Sequence, residues 1–451
     1  DVDVAALWVE LDNGFDASSV DNPRRTRSDD PGRDLQRSLG LSASVDWQAS
    51  EAFTLRSVSA WMDSDIVYAF DGDWGADPAY DFTSRFLRRH RTASQDLRLV
   101  SRAPAREPGE WAWVGGLYVL DVLETNDQLD LYDGAVFRAL QSRYSATSTA
   151  AYGQIEWRAA ARWRLTAGLR AEQREARYRD SDDGAFAPRD RMLGGHLAAE
   201  YSPRDGSTAY LALSRGYKAG GFNLGPLVPD ERRLFEPEFL RSAELGWRSR
   251  RADGRASLDA ALFYMRRGDL QVSTSAQVDP GDPLSFIFVT DNAAEGENWG
   301  AEIAGQWQLD DAWRVGAALG VLRSRYIGYR VGDRDLGDRD QAHAPRSQYT
   351  LSVEYRSPRG AYARADLQGV DAFYFSESHD QRSRPYRLLS LRAGWAGERW
   401  DASVWVRNAL DEAWTQRGFF FGNEPPDFPA TLYTQGGDPR QVGATVGVRF
   451  N

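Results

Sequence analysis

Residues Ser38 to Gln48 read S-L-G-L-S-A-S-V-D-W-Q, which places Leu39, Leu41, Ala43, Val45 and Trp47 on one face and Ser38, Gly40, Ser42, Ser44 and Asp46 on the other. A period of two marks a β-strand with one apolar face. The pattern returns at Trp163, Leu165, Ala167, Leu169 and Ala171 against Arg164, Thr166, Gly168, Arg170 and Glu172. It appears again at Val442, Ala444, Val446, Val448 and Phe450 against Gln441, Gly443, Thr445, Gly447 and Arg449. Trp111 to Leu120 is apolar throughout. At about ten residues it suits a tilted strand that crosses a bilayer and is too short for a spanning helix.

The connections alternate in length. Short turns such as Ala49-Ser50-Glu51, Pro203-Arg204-Asp205-Gly206, Ala252-Asp253-Gly254, Asp310-Asp311 and Ser357-Pro358-Arg359-Gly360 alternate with long polar stretches, expected to be loops, at 12–37, 71–83, 125–143, 219–236, 273–288, 327–346 and 414–439. Short connections on one rim and long ones on the other are the layout of an outer-membrane barrel. Trp47, Trp157, Trp163, Tyr201, Trp247, Trp307, Trp313, Tyr355, Trp395 and Trp400 lie beside the short turns. They are expected to form an aromatic girdle at one membrane interface.

Composition agrees. The chain has 451 residues, no cysteine, 41 glycines, 16 tryptophans, 12% aromatic residues and a formal charge of -11, with a mean hydropathy of -0.57. It is too polar for a helical membrane protein and unusually aromatic for a soluble one. The acidic balance argues against nucleic acid as a partner, and the lack of cysteine removes disulfide frameworks and thiolate metal sites. The start, Asp1-Val2-Asp3-Val4, has neither the basic nor the apolar region of a signal peptide. A soluble propeller or sandwich also uses period-two strands, but a propeller would show a repeat of 40–50 residues and a sandwich rarely carries so many long loops. The expected fold is all-β: a transmembrane antiparallel barrel filling residues 1–451.

Several segments together resemble the barrel of TonB-dependent outer-membrane receptors. They are S-Q-D-L-R-L-V-S (Ser94–Ser101), S-R-G-Y-K-A-G-G-F-N (Ser214–Asn223), F-E-P-E-F-L-R-S-A-E-L-G-W (Phe235–Trp247), A-A-L-F-Y-M-R-R-G-D-L-Q (Ala260–Gln271), N-W-G-A-E-I (Asn298–Ile303), V-R-N-A-L-D-E-A-W (Val406–Trp414) and the closing R-Q-V-G-A-T-V-G-V-R-F. Their order and spacing are those of the family across nearly the whole chain.

The resemblance implies energised uptake of a scarce, bulky ligand, foremost an iron-siderophore complex. It also implies a plug domain inside the barrel and, as a partner, a TonB complex that pulls on it through an N-terminal segment; neither a plug-like region nor a TonB-contacting segment is expected here, since strands begin at Val2. About eighteen of the family's twenty-two strands are expected, with four strands and the plug missing from the front. The strands at Val2–Leu11 and Arg440–Phe450 should then lack their usual neighbours. Further partners implied are outer-membrane lipid and lipopolysaccharide, and the barrel assembly machinery, which reads a terminal aromatic, here Phe450 followed by Asn451. A passive porin of about eighteen strands is the alternative, and an outer-membrane hydrolase a more distant one. No cofactor is expected.

Lys218 is the only lysine in the chain. As a ligand site, Arg215, Tyr217, Lys218, Phe222 and Asn223 would meet an anionic ligand at the rim. As a structural corner, Gly216, Gly220 and Gly221 would turn the chain, with Gly220 and Gly221 in conformations closed to other residues. The corner is preferred, because receptors for different ligands share the stretch. Arg164, Arg170, Glu172, Glu244, Arg248, Glu302, Arg392 and Arg449 fall on polar strand faces and are expected to line the lumen. Two carboxylate clusters, Asp71, Asp73, Asp77, Asp81 and Asp333, Asp335, Asp338, Asp340, could attract a hard cation, although neither has EF-hand spacing and solvated loops explain both. His90, His196, His343 and His379 are dispersed, without zinc spacing. Catalysis would require one of them within about 3.2 Å of both a serine hydroxyl and a carboxylate.

Overall fold

In the computed structural model, the Ser38–Gln48 alternation lies within the strand Arg33–Trp47. Leu39, Leu41, Val45 and Trp47 are exposed despite being apolar, as residues on a lipid-facing surface must be. The structure describes residues 1–14, 19–20, 25–30, 32–78, 80–225, 227–278 and 286–449. Phe450 and Asn451, and with them the expected terminal aromatic, lie outside the described residues.

The main sheet has 19 antiparallel strands. One is the two-residue Ala185–Phe186, and the other eighteen match the number read from the sequence. They form a meander from Val2–Asp12 to Gln441–Val448, successive long strands pairing in turn. Among the described residues the only helix is the 3-10 turn Asp230–Arg232, and no helix is long and apolar enough to cross a membrane. Strands of 20 residues or more, such as Phe82–Ser101, Trp111–Tyr132 and Ala135–Ala160, exceed the 9–11 needed to span a bilayer and stand clear of it at the long-loop end.

Some expected loops are therefore strand. The stretch 125–143 is a tall hairpin whose turn is Asp133-Gly134, with φ of +49° and +69°. Two central residues at positive φ are what a two-residue hairpin turn requires. Ala256–Gln277 and Phe286–Gln308 likewise take up 273–277 and 286–288, and 414–439 contains a ladder between Thr415–Phe421 and Thr431–Gly436.

Among the described residues, Val2–Asp12 pairs only with Arg33–Trp47, and Gln441–Val448 only with Trp400–Arg407. The two strands expected to lack neighbours are the edges of the sheet. The sheet is nonetheless strongly curled. The loop after the third long strand touches the hairpin before the last one: Trp74 packs on Phe419, Phe421 and Tyr433 at ring separations of 5.8, 5.4 and 5.4 Å.

At the short-turn end, the aromatics form the girdle. Trp111 stacks on Trp157 at 5.5 Å, Trp163 meets Tyr201 at 4.9 Å and Trp313 meets Tyr355 at 5.0 Å. On the lumen side, tyrosines lie flat over glycines of the next strand. Tyr152 and Tyr210 stand directly opposite Gly116 and Gly246, and a Cβ on either glycine would collide with the ring. The glycine on the polar face is thus room for an aromatic on its neighbour.

Candidate functional site at the long-loop rim

The S-R-G-Y-K-A-G-G-F-N stretch ends the strand Ser207–Lys218, as its alternation indicates. Most of its side chains are already engaged. Arg215 lies over the Phe239 ring at 4.4 Å and donates to the Leu193 carbonyl at 2.7 Å. The Tyr217 hydroxyl donates to Glu172 at 3.0 Å and accepts from Arg170 Nε at 3.2 Å. Phe222 stacks on Phe186 at 5.1 Å and meets Tyr178 at 5.1 Å.

Asn223 is buried and clamps two elements. Its amide donates to the carbonyls of Arg232 and Thr290 at 2.6 and 2.8 Å, while its oxygen accepts from Thr290 N at 2.8 Å. Of the five candidate ligand residues Lys218 alone is exposed, with no ion pair or side-chain hydrogen bond among the described residues.

The conformations expected of Gly220 and Gly221 are not found, and the demand for glycine there is steric instead. Gly220 and Gly221 are not in the left-handed region. They are needed because the Phe235 segment presses against them: a Cβ on Gly221 would lie 2.5 Å from the Phe235 ring, and one on Gly220 would overlap the Phe235 carbonyl. Gly216 has ordinary room, with Leu240 at 4.0 Å.

Seven of the eight predicted lumen charges fall within strands, opposite the exposed apolar residues Leu165, Leu169, Leu245, Ile303 and Leu391. Arg164 pairs with Glu156 and Glu200 at 3.1 and 3.4 Å. Arg170 bonds Glu172 at 2.8 Å and lies over the Tyr118 ring at 5.3 Å. Glu244 accepts from the Tyr210 hydroxyl at 2.6 Å, and Arg248 covers the Tyr210 ring at 4.7 Å. Glu302 lines the same lumen recess as Glu244 and Arg248, and Arg392 donates to Ser403 at 3.0 Å. Arg449 sits just past the last strand.

The acidic clusters mostly serve the loops. Asp340 pairs with Arg323 and Arg346, Asp338 with Arg325 and Asp335 with Arg330. Asp71 Oδ1 accepts from the backbone N–H groups of Asp73 and Trp74 at 3.2 Å, and Asp73 accepts from Gly75 and Phe82. Burial beside Asp73 pushes the Asp71 carboxyl up to about 7. Asp29 approaches this pair closely enough for the three to share a cation, whereas Asp77 and Asp81 stand outside that group.

The two halves of a catalytic arrangement fall on different histidines. His379 Nδ1 lies 3.1 Å from the Ser376 hydroxyl, which also accepts from the His379 backbone N–H at 3.0 Å, a local turn contact. His90 Nδ1 lies 3.1 Å from Glu124. Among the described residues, no histidine combines the two contacts.

Reasoning from sequence missed the feature that dominates this rim. A cavity of about 1160 Å³ opens among the long loops. Its walls include Phe70, Phe82 and Phe86 from the second hairpin, Phe137 from the tall hairpin, Phe288 opposite, and Trp74 with Phe419, Phe420 and Phe421 closing the seam. Phe288 and Phe137 are 73% and 52% exposed, which is costly in water and marks a surface meant to be covered. The available signal was F-F-F at 419–421 inside a polar stretch.

The sequence model described as "TonB dependent receptor-like, beta-barrel" matches residues 4–409. The chain belongs to that family. It is accordingly an integral protein of the Gram-negative outer membrane, in a family of receptors and transporters. The receptor barrel is similar to the ferric yersiniabactin uptake receptor FyuA from Yersinia pestis, with 20% identity and a TM-score of 0.78 over 100% of this chain and 68% of that one. It also resembles the ferric-catecholate import receptor Fiu from E. coli K12, at 13% identity and a TM-score of 0.69 over 100% of this chain and 71% of that one. The copper transporter OprC is similar too, at 16% identity and a TM-score of 0.71 over 93% and 66%. These likenesses concern the fold, and their named cargoes differ.

Proposed function

We propose that this receptor barrel serves the energised, TonB-linked uptake of a scarce bulky ligand, with an iron-siderophore complex as the cargo class. The observation that carries the reading is the cavity of about 1160 Å³, above the 300–1,000 Å³ usual for small-molecule sites. It sits over a lumen wall on which Arg164, Arg170 and Glu172 already have charged partners. FyuA and Fiu, an uptake and an import receptor for ferric cargoes, supply the cargo class by analogy of fold.

The test is uptake of iron-55 from siderophore-containing spent medium by cells expressing the full-length receptor. Uptake should require the receptor and collapse on adding a protonophore. Receptor-dependent uptake that survives the protonophore would favour a passive porin instead.

A further inference from the structure

We infer that the rim cavity takes a ligand of near-zero net charge with an aromatic or otherwise apolar periphery, and discriminates against compact polyanionic chelates. This deepens the uptake reading and rests on it.

The walls carry the argument. Phe70, Phe82, Phe137, Phe288, Phe419 and Phe420 present aromatic surface from separate elements around one opening. The area left uncovered, notably at Phe288 and Phe137, stabilises a complex only if the ligand brings apolar surface to it. Charge argues the same way. Among the described lining residues, Arg138 and Arg417 stand against Asp130, Asp182 and Glu377. Asp130 is held by the Ser84 hydroxyl and the Gln128 amide at 2.8 Å each. Burial, with Arg334 and Arg339 nearby, lowers the His379 pKa, so the ring adds no fixed positive charge at neutral pH. A polyanion entering this space would lose hydration without gaining a surplus of cations. A chelate with its metal charge neutralised internally and aromatic groups outermost loses little and covers the phenylalanines.

The test uses two iron(III) complexes with the same metal core: the neutral tris(8-hydroxyquinolinate) and the trianionic tris(8-hydroxyquinoline-5-sulfonate). Binding of each, labelled with iron-55, is measured on outer-membrane vesicles carrying the full-length receptor, after subtracting receptor-free vesicles. The neutral complex should bind roughly tenfold more tightly or better. Phe288→Ser and Phe420→Leu should each weaken it several-fold at unchanged surface abundance, while the Leu169→Ala variant, on the outer face far from the rim, should not. Phe288 is so exposed that its replacement leaves the fold intact.

Equal or tighter binding of the trisulfonate, binding of neither complex, or binding of the neutral complex indifferent to both phenylalanine substitutions would each overturn the inference. The uptake reading fails separately, if protonophore-sensitive iron uptake from spent medium is missing. Its persistence alongside a negative quinolinate result condemns only the ligand class.

Discussion

The Asn423 side chain donates its amide to the Asp73 backbone carbonyl at 2.9 Å, across 350 positions of sequence. A second bond from the same amide reaches the Gly72 carbonyl at 3.3 Å. Asn423 is buried, so these bonds are poorly replaced by water, and Trp74 inserted beside it completes a latch between the early and late ends of the curled sheet.

Asn423→Ala should open this latch. Losing the donor to buried carbonyls costs about 1–3 kcal/mol, felt locally rather than globally because the strand ladders remain. Hydrogen exchange at 72–76 should accelerate while the Phe53–Asp71 strand stays protected. Unchanged exchange at 72–76 would show that the ring contacts of Trp74 suffice.

The latch should also respond to pH. Burial raises the folded-state Asp71 pKa from 3.8 to about 7, so the folded loop holds a proton that the opened loop releases. Its stabilisation is complete below about pH 4, declines between pH 4 and 7, and is constant above. The groups facing Asp71 are Asp73, Asp29 and Ser28, and nearby Asp81 is raised by its own burial and then by Asp30, Asp73 and Asp29. Protease cleavage within 72–81 should therefore be slower at pH 5 than at pH 8 under a pH-insensitive protease regime. Asp71→Asn should abolish the difference.

These relations show where sequence reading succeeds. Leu39 and Leu41 could be assigned to the outer face because a strand's two faces are written in alternate residues. The eighteen strands and the girdle follow from that alternation and from turn length. Asn223 and Asn423 could not be read, since each bonds backbone groups brought near only by the curled sheet and its loops, 67 and 350 positions away. The stretch 125–143 reads as a loop because the strands of the tall hairpin leave the membrane at that height and lose the apolar face. Phe137, Phe288 and Phe419 lie far apart in sequence, and only the fold assembles one cavity from their several connections.

At the corner, Gly221→Val should lower the amount of folded, heat-modifiable receptor in the outer membrane. Its Cβ would meet the Phe235 ring at 2.5 Å, and forcing such an overlap costs about 1–3 kcal/mol. Lys218→Ala touches no bond partner and should leave abundance unchanged. If it nevertheless weakens ligand binding tenfold or more, the exposed lysine meets the cargo directly.

The sharpest check of face assignment compares neighbours. Leu169 is 60% exposed on the outer surface, whereas Arg170, the next residue, bonds Glu172 and Tyr217 inside. Leu169→Arg would put a guanidinium against lipid at a cost of roughly 2–4 kcal/mol near the bilayer midplane. Its unfolding transition in urea, followed in phospholipid vesicles, should move to lower denaturant. Arg170→Leu leaves the outer surface untouched but strips Glu172 of its cation and Tyr217 of a donor. Its cost should be about 1–3 kcal/mol from those orphaned groups, and Glu172→Gln added to Arg170→Leu should recover part of it. Leu169→Arg has no such rescue from Glu172→Gln, because the strand's pleat keeps the two side chains on opposite sides of the wall. Equal rescue of both variants would mean that the assigned faces are wrong.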